Sequence, residues 1–523
     1  MIELLAFIVV FAPAAAGLGA WFSGVRVAAR LVTAGLCASI VAGLLIAGTV
    51  FTGGVPLAGY GGMLAVDAFG AYVLVLVLVV AAMALAGSPG YLAHEPEAGA
   101  REGGHYYALL SWFAAGLAAV PLLDSLGLVW VAIEATTIVS ALLVGFARTR
   151  QAIEAAWKYL ILGSIGIGFA LLGTLLLYAS SVGVLGETSD ALAWTRLVGI
   201  APRLDPAFVR LAFIFALAGY GTKAGLAPFH TWLPDAHSQA PSPISAMLSG
   251  TALAVSLYAL ARFHLVATGT LGPDFSSTLL VVFGLLSLAV ALPFIVAQGD
   301  LKRLLAYSSI EHLGLATLAL GFGGPLALLG LTLHLACHGL AKATAFLAAG
   351  FLVAERGSRR IGRLAGSLTR NPVEGRALVA STALLAGLPP SGIFIAELAI
   401  LLGGVARGWV AAAAAAAVIL ALALAGLLFH IVRIAVGPGT RGRVRRTAAP
   451  DAGAGVAVVD SAADPGGAPS HAWAPAVRRR AAFGQVALLG LPLAVVVALG
   501  LWTPPPLRAV LDQVVAVLGG GHG

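Results

Sequence analysis

The residues with chemistry to offer are ionisable side chains set inside long apolar runs. Glu134 lies in the middle of Leu128-Val129-Trp130-Val131-Ala132-Ile133-Glu134-Ala135-Thr136-Thr137. Lys223 stands in Gly219-Tyr220-Gly221-Thr222-Lys223-Ala224-Gly225-Leu226-Ala227-Pro228, a lone amine among helix-breaking residues. His334, His338 and Lys342 follow i, i+4, i+8 spacing, which puts all three on one helix face about 6 Å apart in rise per step. Glu397 follows Leu388-Pro389-Pro390-Ser391-Gly392, where Gly and Pro again interrupt an apolar run beside a charge. A charge at mid-bilayer costs at least about 2.5–3.5 kcal/mol, so it normally faces a wet or protein-lined interior. Proton transfer is the chemistry open to such a set. Burial favours the neutral form of an amine and a nearby carboxylate restores its charge, so a Glu134–Lys223 pair of adjustable separation would act as a proton switch. Histidine titrates near neutrality and can relay a proton through water to the lysine.

Plainer readings stand beside these. Glu134 could make a structural hydrogen bond to a neighbouring helix, and the His334–Lys342 face could be a polar packing seam. Snorkelling suits Lys223 poorly, because Pro228 and no immediate interface follows it. Histidines at i, i+4 can bind zinc, but the acidic residue of H-E-x-x-H is absent and Lys342 would repel a cation. His230, Asp235 and His237 are expected near the cytoplasmic face as candidates for proton uptake or relay, with Glu311 and His312 in the tenth apolar run. Asp67, Asp124, Glu154 and Lys158 are expected at interfaces, in solvated roles.

The elements that must position these groups follow from composition. The chain has 523 residues, 60% hydrophobic and 10% charged, against about 25% charged in soluble domains. Lipid must be its main solvent. Apolar runs predict an all-α polytopic membrane protein of about fourteen helices, at 2–22, 31–51, 64–87, 106–123, 126–147, 158–182, 207–226, 243–263, 277–297, 303–321, 325–353, 377–403, 409–436 and 482–502. The first run lacks the positive flank of a cleaved signal and reads as a retained helix. Connections after odd-numbered helices hold 21 of the 30 Lys and Arg residues, which predicts both termini on the outer side of the inner (cytoplasmic) membrane. Arg262 is counted among the six basic residues of the opposite connections, and Lys302 among the cytoplasmic ones. The net charge of +8 is thereby a topology signal and not a nucleic-acid footprint. Cys37 and Cys337 form no metal or haem motif, so no cofactor is expected in this chain.

The Lys223 and Glu397 segments fall in the seventh and twelfth helices. An offset of five reverses orientation, so two inverted five-helix repeats, each with a broken helix, would surround an ion path. The organisation expected is 1–105, three N-terminal helices; 106–270, the first half-channel; 271–436, the second; 437–481, a flexible basic cytoplasmic loop rich in Gly, Ala, Pro, Arg and Ser; and 482–523, a last helix and tail.

The run Lys223-Ala224-Gly225-Leu226-Ala227-Pro228-Phe229-His230-Thr231-Trp232-Leu233-Pro234-Asp235-Ala236-His237-Ser238-Gln239-Ala240-Pro241, with Asp300-Leu301-Lys302-Arg303-Leu304-Leu305-Ala306-Tyr307-Ser308-Ser309-Ile310 and Gly387-Leu388-Pro389-Pro390-Ser391-Gly392, resembles the antiporter-like subunits of respiratory complex I, Mrp-type antiporters and group 4 membrane-bound hydrogenases. Ile133-Glu134-Ala135-Thr136-Thr137, Glu154-Ala155-Ala156-Trp157-Lys158-Tyr159 and Ser309-Ile310-Glu311-His312 look most like hydrogenase-4 component F. The resemblance implies a fourteen-helix fold in which Glu134, Lys223, Lys342 and Glu397 match the key charged positions. It also implies a non-redox subunit, without a catalytic centre of its own, partnered by other membrane subunits and a peripheral redox arm. The ion would be the proton, or sodium in an Mrp-like antiporter. Some complex I subunits carry a lysine in the eighth helix, where Gly250-Thr251-Ala252-Leu253-Ala254-Val255-Ser256 has none; the relay here would run through His338 and Lys342. The rival from another class is a haem-binding oxidoreductase using His334 or His338. We expect the purified subunit to be colourless; a Soret band that tracks this chain would reverse the reading.

Overall fold

A chain with so few charges must satisfy its backbone internally, and helices do this within one segment. The computed structural model describes residues 1–93, 100–437 and 475–520. In chain order the helices are α1 (Ile2–Trp21), α2 (Val25–Gly53), α3 (Ala68–Leu92), α4 (Ala100–Ala119), α5 (Leu126–Val144), α6 (Arg150–Leu185), α7 (Trp194–Ile200), α8 (Pro206–Ala224), α9 (Trp232–Gln239), α10 (Ser242–Met247), α11 (Leu253–Leu271), α12 (Pro273–Ala297), α13 (Leu301–Phe322), α14 (Gly324–Arg356), α15 (Ser367–Arg370), α16 (Pro372–Leu385), α17 (Gly392–Ala406), α18 (Val410–Val436), α19 (Pro475–Leu501) and α20 (Pro505–Leu518). A short antiparallel hairpin, β1 (Leu57–Gly59) on β2 (Leu64–Val66), joins α2 to α3.

Among the described residues thirteen helical spans are long and apolar enough to cross a membrane. The expected run 377–403 is split into α16 and α17, of 14 and 15 residues. Neither alone reaches the roughly 20 residues a crossing needs, while together they have the length for one. Of the expected cytoplasmic loop 437–481, residues 438–474 lie outside the described residues.

Burial sorts the helices into a centre and a rim. The span Ser242–Leu271 is buried along its whole apolar window and Leu301–Phe322 along 94% of it, against 22% for α1. α10–α11 and α13 are therefore the axis, and groups on them face protein and not lipid. Between α10 and α11 the helix loosens into a π turn, Leu248–Ala252, a feature often found at functional sites. There Gly250 meets Gly339 of α14 so closely that a Cβ on Gly339 would stand 2.9 Å from the Gly250 carbonyl oxygen and 2.8 Å from Leu76 Cδ1.

Four charged positions depart from the sequence expectation. Arg262, assigned to a connection, is fully buried within α11, and Asp67, assigned to an interface, is 2% exposed. They bond each other, Nη1 to Oδ2 and Nη2 to Oδ1, both at 2.7 Å. Asp124 is also buried; its carboxylate accepts from Thr195 N–H at 3.1 Å and Thr195 Oγ1 at 2.6 Å. Burial holds the Asp124 carboxyl above its ordinary range, against those hydrogen bonds and the Arg262 charge. Lys302 is buried and its Nζ donates to the Ala240 carbonyl at 2.6 Å. Charge counting put Arg262 and Lys302 in connections, and local sequence put Asp67 and Asp124 at interfaces, because neither can see a partner supplied from a distant part of the chain.

The expected tail contains α20, whose Leu511, Val514 and Leu518 are buried at the spacing of one helix face. It lies where α2 ends and α3 begins, with Gln513 Nε2 donating to the Phe51 carbonyl at 3.1 Å. Gly339→Val should destabilise the central α11–α14 crossing by about 1–3 kcal/mol through overpacking, seen as a lower melting temperature of the detergent-solubilised protein.

Candidate functional site

Both breaks foreseen in the sequence are present, and each ends its first half in the same way. α8 stops at Gly225, φ +75°, which closes the helix in the left-handed conformation. After α16 the chain turns at Gly387, φ +74°; a side chain there would collide with the Glu397 carboxylate, which packs against this glycine. The second halves restart at Trp232 and at Gly392, the latter capped by Ser391 Oγ accepting from Phe394 N–H at 3.1 Å.

Lys223 sits two residues before the end of α8 and is 2% exposed. Its ammonium donates to Thr137 Oγ1 at 2.7 Å and to Tyr159 OH at 2.6 Å. Tyr159 OH in turn shares a 2.7 Å hydrogen bond with Ser140 Oγ. Glu134 and Lys223, expected as a pair of adjustable separation, share no direct hydrogen bond among the described residues. Glu134 instead accepts from Ser164 Oγ at 2.7 Å through Oε1, and its buried Oε2 has no protein partner. Thr137 lies one turn along α5 from Glu134, so the amine rests beside the carboxylate and still within its electrostatic reach. Neutral hydroxyls hold the amine.

The second cluster lies between α13 and α14. Lys342 is fully buried; Nζ donates to the Leu305 carbonyl at 2.8 Å and to Ser308 Oγ. Glu311, one turn on from Ser308, is 4% exposed, and its Oε2 has no protein partner. It acts electrostatically on both Lys342 and Glu397. His312 Nδ1 and His334 Nε2 share a hydrogen bond of 3.2 Å, and the His338 ring lies 5.0 Å from that of His312. The i, i+4, i+8 face is thus real. Glu311 and His312, secondary in the sequence reading, belong to its centre. Glu397 is half-buried at the far side of this cluster. Among the described residues no set of three or more His, Cys, Asp or Glu side chains is placed to hold a metal ion.

α9 spans the gap between the clusters. Trp232 stacks on Tyr159 with ring centroids 4.5 Å apart, and its Nε1 donates to the Thr222 carbonyl at 2.9 Å. His237 was expected near the cytoplasmic face but is fully buried, with neither ring nitrogen bonded to protein. It lies within electrostatic reach of Lys302 and Lys342. Asp235 does reach the surface, where Lys158 Nζ and Arg303 Nη2 bind opposite oxygens at 3.2 and 2.5 Å. His230 is half-buried beside the break. Ser249 of the π turn shares a 2.8 Å hydrogen bond with Ser309, next to Ser308. Thr137, Ser140, Tyr159 and Ser164 escaped the sequence reading, since hydroxyls in apolar helices are common and only the fold aims Thr137, Tyr159 and Ser164 at Lys223 and Glu134, with Ser140 behind Tyr159.

Residues 124–423 match the family described as NADH:quinone oxidoreductase/Mrp antiporter, transmembrane. The chain belongs to that family. It is 40% identical over 353 residues to a hydrogenase-4 component F homolog of Methylacidiphilum infernorum, covering 67% of this chain and 74% of the relative. It is 36% identical over 313 residues to NADH-quinone oxidoreductase subunit N of Desulforudis audaxviator, covering 59% and 61%. The fold is shared with a chain of the archaeal membrane-bound sulfane sulfur reductase (TM-score 0.81, 21% identity, 100% and 97% covered). It is also shared with a chain of the Mrp complex from Dietzia sp. DQ12-45-1b (TM-score 0.79, 23% identity, 99% and 98% covered).

Tyr159→Phe removes one of the two side-chain acceptors of the Lys223 ammonium. A hydrogen bond to a charged group is worth about 1.5–3 kcal/mol, so proton flux through the assembled complex in membrane vesicles should fall by about tenfold or more, while a circular-dichroism spectrum of the purified subunit stays unchanged.

Proposed function

We propose that this chain is the proton-translocating membrane subunit of a complex I-like redox complex, of the NADH:quinone oxidoreductase or group 4 hydrogenase type. The observation that carries the reading is Lys223. It is a fully buried amine held by the neutral oxygens of Thr137 and Tyr159, one helical turn from a carboxylate that bonds Ser164 instead. An amine so placed has two arrangements to choose between. Beside Glu134 its charge is stabilised, whereas on the hydroxyls it is freer to give the proton up. Residues 106–270 and 271–436 form two inverted half-channels joined by α9. A redox event elsewhere in the complex shifts the Glu134–Lys223 separation, and the displaced proton moves by way of His237 toward Lys342, His338, His334 and Glu397. Buried polar atoms without protein partners, on Glu134, His237, Glu311, His334 and His338, mark where water would complete the route.

Electrons and their cofactors belong to other subunits in this reading, and this chain binds none. Its partners are further membrane subunits and a peripheral redox arm. The membrane is the inner (cytoplasmic) one, with both termini outside. An Mrp-type cation/proton antiporter would use the same path with sodium on one limb; sodium-dependent flux in vesicles would select it.

Lys223→Ala in the assembled complex should reduce redox-driven acidification of inverted vesicles to background while subunit assembly persists. Proton translocation at the wild-type rate in that variant would refute the mechanism.

A further inference from the structure

We infer that Arg359 and Lys302 are positioning residues, which fix His237 between the two lysine clusters by clamping the C-terminal carbonyls of α9. The inference rests on the proton-conducting reading above and names what holds its central relay in place.

The His237 ring has to be held through its backbone. It is fully buried, and among the described residues neither ring nitrogen has a hydrogen-bond partner. The ring lies against Phe346 of α14, with centroids 5.3 Å apart and planes at 23°. α9 has only eight residues, too few for a helix to be stable by itself. Its sequence also denies it an ordinary end. A helical carbonyl bonds the N–H four residues on, and for His237 and Gln239 those positions are Pro241 and Pro243, which have none. Side chains finish the helix instead. The His237 carbonyl accepts from Ser245 Oγ at 2.9 Å, the Ser238 carbonyl from Arg359 Nη1 at 2.5 Å, and the Ala240 carbonyl from Lys302 Nζ at 2.6 Å. Two cations thereby meet the negative end of the helix dipole.

Both cations are tied to the start of α13. Lys302 belongs to its first turn. Arg359 Nε lies 3.6 Å from Asp300 Oδ2, and Asp300 Oδ1 caps α13 by accepting from Arg303 N–H at 3.1 Å. The backbone is stitched down on either side, with Leu301 N–H donating to the Arg359 carbonyl at 3.0 Å and Ile361 N–H to the Gly299 carbonyl at 2.9 Å. Arg303, next to Lys302, holds Asp235 through Nη2 at 2.5 Å, two residues before His237. Three residues beyond Lys302, the Leu305 carbonyl accepts from Lys342 Nζ at 2.8 Å. The first turns of α13 therefore grip α9 on both sides of His237 and grip Lys342 as well. Relay and receiving amine keep their separation because one short stretch of helix holds both.

Hydrogen exchange followed by mass spectrometry on the assembled complex separates this role from a general loss of stability. In Lys302→Met and in Arg359→Gln, amides of residues 232–240 should exchange about tenfold faster, while those of α11 do not change. Redox-driven proton flux in vesicles should fall by a similar factor. Lys302→Arg should restore both readings, because a guanidinium can bond the Ala240 carbonyl yet releases no proton. Wild-type exchange over 232–240 in Lys302→Met and Arg359→Gln, or wild-type flux, would overturn the proposal. A rise in exchange spread evenly over the bundle would do the same. So would a Lys302→Arg complex that protects α9 and fails to pump, since Lys302 would then have to carry the proton itself. Where the longer side chain does not fit, Arg359→Gln decides alone on the same two readings. Wild-type flux in Lys302→Met and Arg359→Gln, where Lys223→Ala blocks flux, discards only the clamp; an active Lys223→Ala discards the broader reading.

Discussion

Four cations buried among the described residues, Lys223, Lys302, Lys342 and Arg262, set the terms for everything around them. Away from bulk solvent, each must find its partners in other segments of the chain, and each such bond ties two segments together. The partners differ in kind. Arg262 is bonded by a carboxylate at two points. The lysines are met by hydroxyl and carbonyl oxygens, with Glu134 and Glu311 one helical turn aside. A guanidinium does not deprotonate at any accessible pH, whereas a lysine amine held by neutral oxygens readily does. The same fold thereby contains fixed charge at one end of its axis and exchangeable charge along the middle.

The breaks in α8–α9 and α16–α17 serve this chemistry. An unbroken helix would spend every carbonyl on itself. At Gly225 and Gly387 the left-handed turn ends one half early and frees space beside a charge, so that Lys223 reaches Thr137 and Tyr159 and the Glu397 carboxylate packs where any side chain on Gly387 would stand. α9, loosened from α8, becomes an independent strut. It touches the first cluster through Trp232 and the second through His237, and it is anchored at the surface by Asp235. The largely buried α10 and α13 pack against that strut.

Much of this was legible in residue order because the bilayer is an exacting solvent. A run of about twenty apolar residues can do little but cross it, so the helices, their number and the polar exceptions Glu134, Lys223, His334, His338, Lys342 and Glu397 stand out before any folding is considered. Helical spacing alone put His334, His338 and Lys342 on one face. The glycine–proline interruptions at 225–228 and 387–392 announced the breaks. Short amphipathic α20 was passed over because its apolar stripe is narrow beside the long runs that dominate the chain.

What residue order determined, then, is which side chains have to be sheltered, since that depends on the local run and on the dielectric of lipid. Tertiary structure decided who shelters them. It turned Arg262 and Asp67 from apparent surface charges into a buried pair 195 positions apart in the chain, recruited Thr137, Tyr159 and Ser164 from among many unremarked hydroxyls, drew Glu311 into the central cluster, and set Lys223 beside Glu134 but not against it. Partner choice depends on which helices touch and at what depth, and that is settled by packing across the whole bundle.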